Sequence, residues 1–280
     1  MKWIDEKTIV ITGATSGIGR ALTKLFIERH NCRVIGVGRR EERFLELIEE
    51  LGDKRDNFEY RIFDVSIESE WQKFAKDMES KSVSIVINNA GVLPKFKTFS
   101  KTIENTPCSE YMRTMEINYN SIVYSTYYMC PVIESNPTPA IVNIASSSGL
   151  CPLPGMASYS GSKAAVKNFT EVLRLEKDYY VGLVCPGFTK TEIFREQSGK
   201  IDSGLVGMIA TELDRMAYKI YRGIIRKRKR MVLGFDAKVM DLGYRWFPKC
   251  GPKFFGKVLK SARIELFDDV FEGNDKRRKK

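Results

Sequence analysis

Histidine is almost missing: the 280 residues hold one, His30, at the end of a helical stretch where a structural role fits it. A Ser-His-Asp hydrolase would have to rest on that single imidazole, and a histidine-based zinc site has no ligands to draw on. The six cysteines (Cys32, Cys108, Cys130, Cys151, Cys185 and Cys250) are scattered without a CxxC pair. That pattern argues against a metal knuckle or a disulfide frame and suits reduced, packed thiols in a cytoplasmic protein. No apolar run reaches the ~18–20 residues of a membrane-spanning helix. The first apolar strand follows within a few residues of Met1, so no signal peptide is expected. There is no internal repeat, and low complexity is confined to residues 274–280 (NDKRRKK), expected to be a frayed tail.

What is present suits one large α/β domain. Hydrophobic residues make up 43% of the chain, and the mean hydropathy is −0.27, enough for a sizeable core under a polar surface. The formal charge of +11 is unevenly spread. From residue 215 onward there are 20 Lys and Arg against 7 Asp and Glu, a net +13, whereas the rest of the chain nets −2. The basicity therefore belongs to the C-terminal quarter and is separable from the body.

Short Val- and Ile-rich runs at 8–12, 33–38, 58–64, 85–88, 140–145 and 181–185 alternate with helical stretches at 18–28, 41–51, 68–80, 109–133 and 158–175. This alternation predicts a parallel sheet with helices on both faces. Ligands of such sheets sit at the carboxyl ends of the strands, where every motif below falls.

The first strand runs straight into Gly13, Thr15, Ser16, Gly17, Ile18 and Gly19, then a helix. The glycines permit a tight turn, and the helix N-terminus offers unpaired N–H groups to a pyrophosphate. The spacing is GxxxGxG rather than the commoner GxGxxG. At the end of the second strand an NAD site usually offers a carboxylate to the ribose hydroxyls. This chain has Arg39 and Arg40 instead, which suits the 2′-phosphate of NADP(H), with Arg39 leading. A solvated loop in which Glu41 and Glu42 pair with both arginines is the alternative, and it leaves NAD(H) open. Asp64 and Val65 end the third strand and are placed to meet the adenine edge. Asn89, Ala90 and Gly91 follow the fourth, where an Asn can tie adjacent loops and small residues leave room for a cofactor.

Tyr159 and Lys163 stand four apart in YSGSK, one helical turn from each other on one face, with Ser146 thirteen positions upstream. A free phenol has a pKa near ~10, and an ammonium one turn away would favour the phenolate and bring it toward the working range. Ser146 could hydrogen-bond a substrate oxygen beside the phenol. A surface helix start produces the same pentapeptide by chance, so the surrounding motifs decide.

TGATSGIG, NNAG, Asn118, Ser146, YSGSK and PGFTKT stand in the order and approximate spacing of the short-chain dehydrogenase/reductase family, which the chain resembles over roughly residues 5–195. The resemblance implies a single Rossmann-type, doubly wound parallel sheet of about seven strands and hydride transfer at a nicotinamide. It implies Tyr159 as general acid or base, Lys163 as the group that lowers its pKa and holds the nicotinamide ribose, and Ser146 as the carbonyl polariser. Asn118 would hold a proton-relaying water, Pro186 and Gly187 would pass the nicotinamide, and Thr189 or Thr191 would reach its carboxamide or the phosphates. No metal is required. Family members commonly form homodimers or homotetramers through a four-helix interface. Here the stretch from Glu176 to Pro186 is a few residues shorter than usual, which clips a loop near that surface.

The catalytic domain is expected over residues 1–235, its last strand near 230–234 and a substrate lid at about 188–213. Leu150, Cys151, Leu153, Pro154 and Met156, with Phe188, Ile193, Phe194, Leu205, Met208 and Ile209, make the substrate side apolar. Leu153, Met156, Phe188 and Phe194 join Ser146 and Tyr159 as substrate-binding candidates. Such a pocket suits a lipophilic alcohol or ketone, first of hydroxysteroid type and next a 3-ketoacyl or ketosphingoid lipid; alternatively these side chains simply pack on the core. A third reading is a cofactor-binding regulator without turnover, which retention of all four catalytic candidates opposes.

Residues 236–280 form a basic, aromatic extension, with Tyr244, Trp246, Phe247, Phe254 and Phe255 among Arg245, Lys249, Lys253, Lys257 and Lys260. Pro248, Gly251, Pro252 and Gly256 are expected to break any long helix and leave a short hairpin. It suits either a peripheral contact with an anionic membrane or a flap over the pocket or a dimer partner. Nucleic acid is not expected, since no recognised binding module accompanies the charge.

Overall fold

Alternating Val and Ile strands with amphipathic helices leave each strand two apolar faces to cover, and the chain covers both. The structure, a computed structural model, describes residues 2–192, 210–261 and 267–271. The strands are β1 (Thr8–Thr12), β2 (Arg33–Gly38), β3 (Phe58–Ile62), β4 (Val83–Asn88), β5 (Ala140–Ile144), β6 (Tyr180–Pro186) and β7 (Arg230–Leu233). They form one seven-stranded sheet in the order β3-β2-β1-β4-β5-β6-β7, with every neighbouring pair parallel. The order reverses between β1 and β4, which opens a crevice at their carboxyl ends.

The helices are α1 (Gly17–His30), α2 (Glu41–Leu51), α3 (Glu68–Met78), α4 (Phe99–Asn105), α5 (Cys108–Met115), α6 (Ser121–Glu134), α7 (Ala157–Glu176), α8 (Leu213–Ile225), α9 (Phe235–Trp246), α10 (Gly251–Ser261) and α11 (Asp268–Phe271). Period-two alternation splits the core between the sheet's faces. Ile9 and Ile11 of β1 pack with Leu22 and Phe26 of α1, Phe44 and Leu47 of α2, and Ile220 and Ile224 of α8. Val10, between them, packs on the other side with Trp71, Phe74 and Met78 of α3, Met129 and Ile133 of α6, and Leu173 of α7. Trp71 is fully buried, and its indole N–H donates to the Val65 carbonyl at 2.8 Å, so no donor is stranded.

Several boundaries differ from the sequence expectation. Strand β3 stops at Ile62 rather than 64, and Phe63 and Asp64 just beyond it line the crevice. The helical stretch expected at 109–133 is interrupted by a π-helical turn at Glu116–Asn120, which turns Ile117 and Asn118 inward. Only residues 177–179 join α7 to β6. His30 is structural, its ring nitrogens bonded to Asp5 (2.6 Å) and Tyr221 (2.7 Å), tying α1 to α8.

The extension is a hairpin of two short helices, interrupted at residues 247–250 around Pro248. Pro252 sits in the first turn of α10, where a missing N–H costs nothing. A Cβ on Gly243 would stand 3.0 Å from the Phe255 ring, and one on Gly251 2.9 Å from the Gly243 carbonyl oxygen. Gly243 and Gly251 let α9 and α10 pack closely across that break. The inner side chains Met240, Leu259, Phe267 and Val270 join Leu93, Phe96, Cys151, Leu153, Met156 and Phe188 in one buried cluster. Among the described residues no helix is long and apolar enough to cross a membrane.

Candidate active site

The crevice at the carboxyl ends of β1, β4 and β5 is a cleft of about 530 Å³. Its floor is the glycine turn after β1. Gly13 has φ +67°, and a Cβ there would stand 2.9 Å from the Ala90 Cα; Gly17 has φ +53°. Both values lie in the left-handed region that glycine alone adopts cheaply. Gly19 does not reach the cleft. It lets α1 press on the turn, since its Cβ would collide with the Gly13 carbonyl oxygen. Helix α1 starts after Ser16 with no side-chain cap and no acidic residue in its first turn, so its leading N–H groups are available to an anion. A dinucleotide pyrophosphate fits this arrangement.

The segment after β4 is tied to that turn. The Asn89 amide donates to the carbonyls of Thr12 (2.9 Å) and Gly13 (3.3 Å). The Thr12 hydroxyl accepts from the backbone N–H groups of Asn89 and Ala90, each at 2.9 Å. Val65, Ala90 and Gly91 line the cleft beside Thr15, Ser16 and Ile18.

At the charged end the alternative pairing with Glu41 and Glu42 is not the one adopted. Arg40 reaches Glu192 (3.8 Å) rather than the neighbouring Glu41 or Glu42, and Arg39 lies 3.7 Å from Asp64 with its side chain 61% exposed. Asp64 is held more tightly by Arg113 at 2.8 Å. Burial would raise the Asp64 carboxyl, but two hydrogen bonds from Ser66 and the two guanidiniums outweigh it and hold the group below its usual range. Both arginines are loosely held, and Arg39 is the more exposed of the two.

The opposite end carries the reactive groups. Ser146 ends the β5 segment, and its oxygen accepts from the Ser148 hydroxyl (3.0 Å) and the Ser148 N–H (3.3 Å). Tyr159 and Lys163 project from α7 into the same space. Burial pushes the Tyr159 phenol above its ordinary value, and a hydrogen bond from Ser146 pulls it partly back. The Lys163 ammonium was expected to lower the phenol. Its Nζ instead lies 5.9 Å from the Tyr159 ring centre and donates to the Ile144 carbonyl at 3.1 Å. Burial pulls Lys163 itself down to about 8. Burial, not the ammonium, dominates the phenol. A proton-bearing phenol flanked by a serine hydroxyl and an ammonium can deliver a proton to a carbonyl oxygen.

Asn118 does not line the cleft but sits directly beneath it. Its amide accepts from the Val92 N–H (2.7 Å) and donates to the Val92 carbonyl (3.0 Å) and the Ser162 hydroxyl (3.1 Å). The side chain is committed to joining the β4 segment to α7. A Cβ on Gly91 would stand 3.1 Å from the Asn118 Oδ1 and 3.3 Å from the Lys163 Nζ, so the three residues meet at one point.

Pro186, Gly187, Phe188, Thr189 and Thr191 form the wall after β6. Thr189 bridges to Thr211, which joins the described chain on the two sides of residues 193–209. Leu153, Met156 and Phe188 give the wall its apolar character, joined by Leu93. Leu150 instead packs in a separate cluster with Ile122 and Val166. Phe194, with Ile193, Leu205, Met208 and Ile209, lies outside the described residues.

Asp236 went unrecognised in the sequence. It stands at the start of α9, is buried, and its carboxylate accepts from the Phe188 N–H at 2.7 Å. A Cβ on either Gly187 or Gly234 would run into it. Burial raises this carboxyl, and its Oδ1 has no hydrogen-bond partner. The available signal was an Asp just after a glycine turn at the start of a helix. Ser148, Arg113 and Glu192 were also missed, the last two because their partners are distant in sequence.

A family model described as short chain dehydrogenase matches residues 7–202. A 3beta-hydroxysteroid dehydrogenase from Mediterraneibacter gnavus is 27% identical over 76% of this chain and 77% of its own length. An 11-beta-hydroxysteroid dehydrogenase A from Sesamum indicum is 35% identical over 68% of this chain and 54% of its own. Among solved structures, a serine dehydrogenase complexed with NADP+ superposes with a TM-score of 0.66 at 25% identity, covering 77% of this chain and 88% of that one.

Proposed function

The chain belongs to the short-chain dehydrogenase family, and on that premise we propose an NADP(H)-dependent oxidoreductase that interconverts a secondary alcohol and a ketone on a lipophilic, hydroxysteroid-type substrate. One observation carries the reading: Ser146, Tyr159 and Lys163 meet an apolar wall of Leu93, Leu153, Met156 and Phe188 in a single cleft whose far end is the glycine turn. When bound, the nicotinamide supplies or takes the hydride. The protein's own part is proton transfer and orientation.

In the direction of reduction, Ser146 and Tyr159 both hydrogen-bond the substrate oxygen, and Tyr159 gives up its proton as negative charge develops there. The half-buried phenol, raised by desolvation, favours this donor role at neutral pH. Lys163, close above Gly91, steadies the resulting phenolate and is placed to hold the ribose hydroxyls. Asn118 acts by fixing the β4 segment and α7 relative to each other. Arg39, only loosely paired, is the residue for a 2′-phosphate, with charge-assisted bonds as the gain. The two hydroxysteroid-dehydrogenase relatives and the apolar wall support the substrate class. Met240 and Leu259 of the extension share a buried cluster with Leu153 and Phe188, which supports an extension that backs the substrate side of the cleft.

The test is NADPH depletion across a panel of steroid ketones, 3-ketoacyl compounds and ketosphingoid bases, repeated with NADH. Turnover of steroid ketones with NADPH preferred is expected. Turnover confined to acyl or sphingoid ketones would move the substrate class. Tight cofactor binding with no turnover of any ketone would turn the reading to a regulator.

A further inference from the structure

We propose that the outer face of the α9–α10 hairpin docks on an anionic phospholipid surface. Docking of this kind is independent of the reaction in the cleft. Helix α9 has two apolar sides, and only one is used by the core. On α9, Ala237 and Met240 point inward, whereas Phe235, Val239, Leu242 and Trp246 point out. These four are spaced by four, three and four residues, which keeps them on one side of the helix. Phe247 in the connection and Phe254 on α10 are exposed as well. Phe235, Leu242, Trp246, Phe247 and Phe254 are 59–75% exposed. Of the sixteen large apolar side chains exposed among the described residues, six fall between residues 235 and 254, so the patch is a concentration and not scatter.

Charge selects the occupant. Residues 235–261 hold six Lys and Arg against two Asp. Both acids are occupied: Asp236 is buried, and Asp241 is paired with Arg230 through two bonds of 2.9 Å and with Arg245 at 3.1 Å. Lys238, Lys249, Lys253 and Lys257 are exposed around the aromatic stripe. A second copy of this face would bring like charges together. Nucleic acid has no use for a stripe that includes Val239 and Leu242. Aromatic rings at headgroup depth with lysines against lipid phosphates satisfy both features at once.

The experiment is co-sedimentation of the full chain with phosphatidylcholine vesicles, with and without 30% phosphatidylserine, at low and high salt. Binding to the anionic vesicles, weakened by salt, is expected, with little binding to the neutral ones. Lys253→Ala with Lys257→Ala lowers the partition coefficient about thirtyfold, the factor for two headgroup-level cations. Trp246→Ser with Phe247→Ser abolishes binding, and thermal melting verifies that each variant remains folded. Absence of wild-type binding, equal binding to neutral vesicles, or binding unchanged in both variants overturns the proposal. Conversion of a wild-type dimer to a monomer by Trp246→Ser with Phe247→Ser assigns the face to a second copy and overturns it as well.

Discussion

Replacing Lys163 by methionine is expected to stabilise the cofactor-free protein at pH 7 while abolishing turnover. The drop of the Lys163 pKa from 10.5 to about 8 measures what burial costs the charged form. At ~1.36 kcal/mol per pH unit the cost is about 3 kcal/mol. Losing the 3.1 Å bond to the Ile144 carbonyl takes back about 1–2 kcal/mol. The remaining gain of about 1–2 kcal/mol raises Tm by about 2–6 °C in a chain of this size. The pH dependence fixes the cause. Between about 8 and 10.5 the unfolded chain binds more protons at this lysine than the folded one, so wild-type stability rises with pH across that window. The penalty is whole below pH 8 and gone above about 10.5, and the variant lacks it at every pH. Urea unfolding of both proteins at pH 7, 8.5 and 10 should therefore show a gap that closes as pH rises. A variant less stable than wild type at pH 7, by an amount unchanged at pH 10, would refute burial as the dominant influence on Lys163.

Four further outcomes follow from named contacts. Arg39→Asp should raise the KM for NADPH by about ten- to a hundredfold, the loss of a charge-assisted contact, and shift preference toward NADH; an unchanged ratio of the two cofactors in steady-state kinetics removes Arg39 from the 2′-phosphate. Gly13→Ala, at φ +67° and 2.9 Å from the Ala90 Cα, should cost about 1–3 kcal/mol of stability and weaken NADPH binding by titration calorimetry. Asp236→Ala should strand the Phe188 N–H, lower stability by about 1–3 kcal/mol and raise the cofactor KM more than it lowers kcat, while Asp236→Asn, which keeps an acceptor, recovers most of both. Because burial holds Tyr159 protonated, ketone reduction should fall and alcohol oxidation rise as pH climbs through the alkaline range, and pH–rate profiles in both directions check this.

The parts legible in the sequence are those whose chemistry is local. A strand running into GATSGIG fixes a turn that only glycine can make, and the four-residue offset of Tyr159 and Lys163 fixes a shared helix face. The alternation of apolar runs gave the parallel sheet and its helical layers. What stayed hidden depends on distant partners or on burial. Asp236 meets Phe188 across 48 positions, and Arg113 reaches Asp64 across 49. The direction of the Tyr159 pKa turns on desolvation, which spacing alone cannot reveal. A sequence does not say whether a missing side chain serves the backbone's freedom or a close neighbour; Gly251, whose Cβ would stand 2.9 Å from the Gly243 carbonyl oxygen, shows the second.

The central claim is that Tyr159, with Ser146 and Lys163, supplies the proton while a nicotinamide supplies the hydride to a lipophilic ketone. Single-turnover mixing of enzyme, 4-deuterated NADPH of either face and a steroid ketone, read by mass spectrometry of the alcohol, tests it most directly. One deuterated face should label the carbinol carbon in the wild type, with the rate falling by about 10²–10⁴ in Tyr159→Phe and NADPH affinity nearly unchanged. Label transfer at the wild-type rate in Tyr159→Phe would contradict the account.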